Sequence, residues 1–457
     1  MFYKSSLTKW FSVSFIAIAW ALTATIGFAG EQPDAKRPNI VFIISDDQDN
    51  EHLGFMGNPH VHTPTLDKLA EAGTVFTCAH LPMSRCHPTL ASFLSGRWPH
   101  QTGIYYNYGT KKLAPTNSLS VLLKEAGYAT YAEGKFWEGD ARKMGFTHGA
   151  GKNAKKFVRE GQDNLFKFLD EVAGKKPFFV WWAPRIPHLP HDAPKKYMDL
   201  FKRKEIPIPD WYKGDKKAFR EKEHKSFAME AWLDDEIGKL CTKLKDLKVY
   251  DNTLFVFVID NGWCNGLAAK GSPFEKGVRT PIFFTLPGTV PGGKRVDGMV
   301  STLDLYPTIL DYAGVSIPKT AEGRDLRPTM EGREDATRDV LFGAIYPAFA
   351  TKGDERPERD LYALYARTKK WKYILYLHDL KESQKDNKSY YRIFSVLSDF
   401  PTRNKGDEDL YNLETDPHEL HNLGTDPEHK ARMAELKKKV LAWWAETGGK
   451  PLDVSDK

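Results

Sequence analysis

Asn39-Ile-Val-Phe-Ile-Ile-Ser45 is an almost unbroken apolar run that leads straight into Asp46-Asp47. A strand wetted on one face alternates apolar and polar residues; a continuous run fits a strand covered on both faces, as in a parallel sheet between helices. Two more stretches read alike: residues 177–183 (Pro-Phe-Phe-Val-Trp-Trp-Ala) and residues 253–259, the latter ending at Asp260-Asn261-Gly262. Helix signals lie between them. Thr63-Pro64 opens a helix carrying Leu66, Leu69 and Ala70 that stops at Gly73. Residues 118–126 form a second, closed by Gly127, and feed a short strand over 128–132 that ends at Glu133-Gly134-Lys135. Residues 225–247 form a third, with Phe227, Trp232, Ile237, Leu240 and Leu244 at its apolar positions. Strands alternating with helices predict an α/β fold with a largely parallel sheet.

Polar residues gather where such a sheet binds ligands, beyond the carboxyl ends of its strands. Asp46-Asp47, Lys135, His188 and Asp260-Asn261 all fall there. Asp46, Asp47, Asp260 and Asn261 offer hard oxygen donors of the kind calcium takes, and three carboxylates at one edge require a cation to offset their repulsion. Each pair alone reads equally as a helix cap or a turn; their order along the chain is what points to a metal. A second dense stretch spans residues 83–103, Met-Ser-Arg-Cys-His-Pro-Thr-Leu-Ala-Ser-Phe-Leu-Ser-Gly-Arg-Trp-Pro-His-Gln-Thr-Gly. Pro88 suits a first helical turn and Gly96 a stop, which predicts a helix over residues 88–95. Cys86 then lies just before a helix N-terminus, a place that favours a thiolate or a bound anion, although a buried core thiol fits the residue as well.

This stretch resembles the signature of the sulfatase family, a Cys-x-Pro-Ser/Ala-Arg core followed by a Thr/Ser-Gly-Arg-x-Pro-His-x-Thr-Gly tail. The tail matches at Ser95, Gly96, Arg97, Pro99, His100, Thr102 and Gly103. The resemblance implies that Cys86 is oxidised by a maturation enzyme to formylglycine, whose hydrated aldehyde attacks the sulfur of a sulfate ester. It also implies that Asp46, Asp47, Asp260 and Asn261 hold one calcium ion. Gly134-Lys135-Phe136-Trp137 is similar to the family's Gly-Lys-Trp-His. Lys270-Gly271-Ser272, continuing through Glu275, Gly277, Arg279 and Pro281, is similar to its Lys-Gly-x-x-x-Glu-Gly-Gly-x-Arg-x-Pro. Lys135 and Lys270 would bind sulfate oxygens, and His188, within Pro187-His188-Leu189-Pro190, would protonate or stabilise the leaving alkoxide. Residues 304–308 and 410–419 also look like sulfatase sequence, of a structural kind. The implied fold is alkaline-phosphatase-like: a large, mostly parallel sheet between helices, plus a small C-terminal antiparallel sheet.

Two positions depart from the pattern. Leu90 stands where the family has arginine, and Trp137 where it has histidine. Both concern the nucleophile rather than the metal, so three readings stay open. The chain is a calcium-dependent sulfatase of sulfated carbohydrates with an altered pocket, a phosphodiester or phosphonate hydrolase of the same fold, or a glycan-binding protein that retains the cradle without turnover.

The 457 residues, 41% hydrophobic and 28% charged, exclude a disordered chain and allow a large core with a smaller second domain. Lys4 and Lys9 precede an apolar run to Phe28, and small residues around Ala29 fit a signal peptide over 1–29; a retained membrane anchor is the alternative. Either predicts export, to the periplasm or outside the cell, and no later run is long enough to span a bilayer. The catalytic α/β domain is expected over 30–339. A smaller domain follows over 340–457, with strands near 361–366 and 371–377 and a final helix that Asp426 caps, bearing Met433, Leu436, Val440 and Trp444. Four cysteines are too few for a disulfide framework. The charge of +6 and clusters such as Lys202-Arg203-Lys204 and Lys216-Lys217 favour an anionic substrate or surface, though each cluster alone fits a solvated loop; the resemblance implies that the partner is a sulfated carbohydrate and not nucleic acid. The basic, aromatic stretch over 192–223 is read either as the wall of a sugar pocket or as a solvated cover. Residues 381–388 are expected to be an exposed loop.

Overall fold

The apolar run at Asn39 is the middle strand of a seven-stranded sheet. The computed structural model describes residues 37–107, 109–149, 156–346, 361–378 and 403–454. The signal segment over 1–29 and the loop expected over 381–388 therefore lie outside the described residues. The strands are β1 (Asn39–Ser45), β2 (Thr74–His80), β3 (Ala129–Gly134), β4 (Phe178–Ala183), β5 (Thr253–Ile259), β6 (Arg279–Thr285) and β7 (Lys294–Ser301), in the order β3-β4-β1-β5-β6-β2-β7. β1 pairs in parallel with β4 and β5, β3 with β4, and β2 with β7, while β6 runs antiparallel to both β5 and β2. The sheet is thus mixed and mostly parallel, as expected. β2, β6 and β7 had no clear signal: the first half of β7 alternates half-buried and exposed residues, and β6 opens on Arg279-Thr280-Pro281.

Alternation along β1 divides the core. Ile40, Phe42 and Ile44 face one layer with Phe93, Leu94 and Ile309; Val41 and Ile43 face the other with Leu69, Phe168 and Leu240. Each fully buried side chain of this kind contributes roughly 1.5–3 kcal/mol. The covering helices are α1 (Pro64–Glu71), α2 (Cys86–Ser95), α3 (Leu119–Glu125), α4 (Asp163–Val172), α5 (Lys216–Asp246), α6 (Leu305–Tyr312) and α7 (Lys430–Glu446). Two bounds correct the sequence reading. α2 starts at Cys86, not Pro88, with Arg85 as its extended N-cap, so Pro88 is the third helical residue and still within the turn that lacks intrahelical acceptors. α5 starts nine residues before Lys225, because the Asp215 carboxylate accepts the N–H groups of Lys217 (2.8 Å) and Ala218 (3.2 Å) and caps two turns that are too charged to show an apolar stripe. α2 closes at Gly96, whose φ of +66° and distance of 2.6 Å from a built Cβ to the Tyr306 ring leave no room for a side chain.

Four antiparallel strands, β8 (Leu341–Ile345), β9 (Ala363–Arg367), β10 (Trp371–Tyr376) and β11 (Glu408–Asn412), form the small sheet in the order β11-β10-β9-β8. α7 buries Leu436, Val440, Trp443 and Trp444 in a cluster that also takes in Met83, Phe274 and Val278, which joins this sheet to the large one. Asp426 caps a tight turn, Pro427–His429, that runs into α7. Among the described residues no helix is long and apolar enough to cross a membrane. All four cysteines are free and buried.

Candidate active site

Where β1 ends, the chain turns sharply. Asp47 adopts a left-handed φ of +55°, at a cost of roughly 1 kcal/mol or more for a residue with a Cβ, and this aims its carboxylate across the sheet edge. Its Oδ1 accepts hydrogen bonds from Lys270 Nζ (2.5 Å) and Asn261 Nδ2 (2.6 Å), and its Oδ2 lies 3.4 Å from His188 Nε2. The Asp47 N–H donates to Asp260 Oδ1 (3.2 Å) at the end of β5. Lys135, just past β3, donates to Asp260 Oδ2 (2.7 Å) and to Asp46 Oδ1. Its position is set by Gly134, where φ is +95° and a built Cβ would stand 2.0 Å from the Ala183 carbonyl oxygen. From the first turn of α2 the Cys86 thiol reaches Asn261 Oδ1 at 3.2 Å. All eight residues singled out in the sequence, Asp46, Asp47, Cys86, Lys135, His188, Asp260, Asn261 and Lys270, therefore meet at one edge.

The charges explain one another. Burial pushes the carboxyls of Asp46 and Asp260 up, against the pull of Lys135. Burial acts on Asp47 in the same sense, but Lys270, His188 and Lys135 outweigh it and hold the group well below the usual carboxylate range. Burial works against both ammonium groups, yet Asp260 and Asp46 keep Lys135 charged and Asp47 keeps Lys270 charged. His188 is pushed down to about 4, chiefly by burial. At Cys86 burial pushes the thiol up despite Lys135 and Lys270, which favours the buried-thiol reading over the thiolate. Asp46 Oδ2 is buried with no hydrogen-bond partner. Ligand atoms of Asp46, Asp47 and Cys86 lie within 4.8 Å of one another. An unpartnered carboxylate oxygen beside further hard donors fits a divalent cation of the calcium type.

Other residues support this edge that the sequence reading did not single out. The Gly271 N–H donates to Ser84 O (2.8 Å) and Ser84 Oγ to Ser272 O (2.7 Å), so the backbone before Cys86 is tied to the backbone after Lys270. Arg85, fully buried, donates from Nε to Tyr346 O (3.2 Å). His87 spans Glu138 Oε1 (2.8 Å) and Tyr106 O (3.1 Å) and stacks on Trp137 with ring centres 5.5 Å apart. Trp137 thus packs beside the nucleophile position through His87, and Leu90 is absorbed into the core. The available signal was Arg85 itself, a charged residue directly beside Cys86. At the rim the His191 and Trp263 rings sit edge-on at 5.6 Å, and the half-buried Trp211 meets His418 at 5.8 Å.

A parallel-centred sheet whose edge gathers carboxylates, two ammonium groups and a helix-borne cysteine is the arrangement of alkaline-phosphatase-like hydrolases of charged esters. Residues 38–315 match the family model Sulfatase, and residues 265–394 match the model N-sulphoglucosamine sulphohydrolase, C-terminal. The chain belongs to the sulfatase family and is a sulfuric ester hydrolase. An ulvan-active sulfatase of Formosa agariphila is 26% identical over 434 residues, which cover 91% of this chain and 81% of that one. Human arylsulfatase A is 30% identical over 370 residues, 69% of this chain and 71% of its own length. The crystal structure of Ps i-CgsB in complex with k-i-k-neocarrahexaose superposes with a TM-score of 0.68 at 26% identity, over 89% of this chain and 93% of the other.

Proposed function

We propose that this protein is an exported, calcium-dependent sulfatase that hydrolyses sulfate esters of carbohydrates, with Cys86 as the precursor of formylglycine. The observation that carries the reading is the convergence on Asp47: Lys270, Asn261 and His188 all contact it, and Asn261 in turn takes the Cys86 thiol. Asp46, Asp47, Asp260 and Asn261 would hold the cation, which as a Lewis acid would polarise an ester oxygen. Lys135 and Lys270 are fixed point charges for the remaining sulfate oxygens. His188, whose Nδ1 is held by Leu189 O and whose Nε2 lies 3.4 Å from Asp47 Oδ2, would stabilise the leaving oxygen once Nε2 takes up a proton. Burial raises the Cys86 thiol, which weighs against the unmodified cysteine attacking as it stands. Carbohydrate substrates are supported by the ulvan-active relative and by the carbohydrate complex named above.

The test takes protein made with its native maturation system, measures the mass of the Cys86 peptide, and follows sulfate release from a sulfated oligosaccharide with and without chelator. An aldehyde or its hydrate at Cys86, with release that stops on chelation and returns with calcium, is the expected result. An intact thiol would exclude formylglycine chemistry for that preparation. Faster hydrolysis of an aryl phosphodiester than of an aryl sulfate would support the phosphoester reading. A saccharide bound with calcium and returned unchanged would make the domain a binding protein.

A further inference from the structure

The lysine clusters scattered along the sequence meet on one surface. A groove of about 860 Å³ runs between the short turn Arg203–Glu205 and the first turns of α5, lined by Lys202, Arg203, Lys204, Lys216, Lys217 and Arg220. Its only lining carboxylate, Asp199, is already taken by Lys195 at 2.6 Å. Lys202 pairs with Glu205 at 3.3 Å, with both side chains mostly exposed, so that pair is weak. Arg203, Lys204, Lys216 and Lys217 have no ion-pair partner among the described residues. Six cations around one groove repel one another, and the acidic groups nearest them on α5 have other partners: the Asp215 carboxylate caps Lys217 and Ala218, and Glu221 pairs with Lys225 at 3.1 Å while also attracting Arg203 and Lys217. A bound polyanion relieves that repulsion.

The floor says which polyanion. Half-buried Met198 and Phe201 give it an apolar surface, with His224 buried among them. His224 Nε2 lies 3.1 Å from the carbonyl oxygens of both Met198 and Phe201, two acceptors that require the proton on that nitrogen. Nδ1 is closed to solvent, so His224 braces the backbone of Met198 and Phe201 beneath the floor. A ligand that fits has sulfate groups and an apolar ring face. The same stretch of helix is tied to the catalytic edge, since Asn265 Nδ2, just past Asn261, donates to Phe219 O at 3.1 Å.

We propose that this groove is a second, non-catalytic binding site for a sulfated polysaccharide, with sulfates on the lysines and arginines and a ring on Phe201. It would hold a polymer while another part of it enters the active site, and it rests on the reading of the substrate as a sulfated carbohydrate.

The test compares the full-length protein with the quadruple variant R203Q/K204Q/K216Q/K217Q and with a control, K68Q/K124Q/K143Q/K176Q, that removes as much charge elsewhere. Affinity for a sulfated galactan is measured across a salt series, beside turnover of a small aryl sulfate and the thermal midpoint. The groove variant should bind the galactan roughly tenfold more weakly or worse and with a shallower salt dependence. Aryl sulfate turnover and the thermal midpoint should be unchanged, and the control should bind as the parent does. Equal loss in the control would reduce the effect to net charge and overturn the proposal. So would unaltered binding by the groove variant, no binding by the parent, or a DNA duplex held as tightly through the same residues. F201A keeps the charge and should still weaken the galactan. Binding needs no turnover, so a protein that hydrolyses no sulfate ester but binds galactan through the groove sinks the catalytic reading and leaves this one standing.

Discussion

Asp47 and His52 show how single residues here do electrostatic work in opposite senses. Asp47 gathers cations around one carboxylate, and Lys270 is the closest of them at 2.5 Å. Removing a fixed positive charge aimed at a developing anion typically costs about 10²–10³ in turnover. Lys270→Ala should therefore lower kcat toward a sulfate ester by that factor, and steady-state kinetics showing less than a threefold change would remove Lys270 from the machinery. His52 instead places one imidazole between two carboxylates, Glu230 Oε1 at 2.9 Å from Nδ1 and Glu223 Oε2 at 3.1 Å from Nε2. Burial opposes its charge, but Glu230, Glu223 and Asp49 outweigh burial and raise its pKa well above the ordinary value. The unfolded value is about 6.5, so the stabilisation is fully present below that pH and is lost as pH rises through the higher folded value. Urea titrations should show the stability gap between wild type and His52→Gln narrowing as the medium is made alkaline; a gap that widens would contradict this account.

The elements are joined by buried charge as well as by apolar packing. Glu275, on the loop between Lys270 and β6, meets His80 of β2 at 3.1 Å and Lys372 of β10 at 3.0 Å. Glu419 lies 3.6 Å from the same lysine and accepts the Glu275 N–H at 2.6 Å. Burial pushes Glu419 up to about 7, whereas Lys372, His80 and Arg367 overcome burial at Glu275 and hold it well below its usual range. The small sheet thus clamps the stretch that carries Lys270. Removing one partner from a buried network leaves uncompensated charge, at a cost of about 3–5 kcal/mol. Lys372→Met should lower unfolding free energy by that amount in denaturant, and a loss below about 1 kcal/mol would mean that the clamp is ornamental.

At the scale of the molecule, the sequence was most readable where physics left one option. β1, β4 and β5 are buried on both faces, so their apolar runs and the polar residues beyond them were plain; five of the eight site residues follow directly from those strands, and Lys135 follows β3. Lys270 came only through the family pattern, because it lies in an irregular loop between β5 and β6. What stayed hidden was long-range: the antiparallel return of β6, the early start of α5, and the convergence of separate lysine clusters on one groove, none of which leaves a periodic trace. The burial of Cys86 has a consequence in time. Its partner Asn261 lies 175 residues downstream, and the sheet cannot close around it until β5 has been made. At about 5–20 residues per second of synthesis, the thiol stays open for roughly 10–35 s on a growing chain. Once the sheet has closed it is 2% exposed within a wholly buried helix, so any enzyme that converts it has to act before that closure.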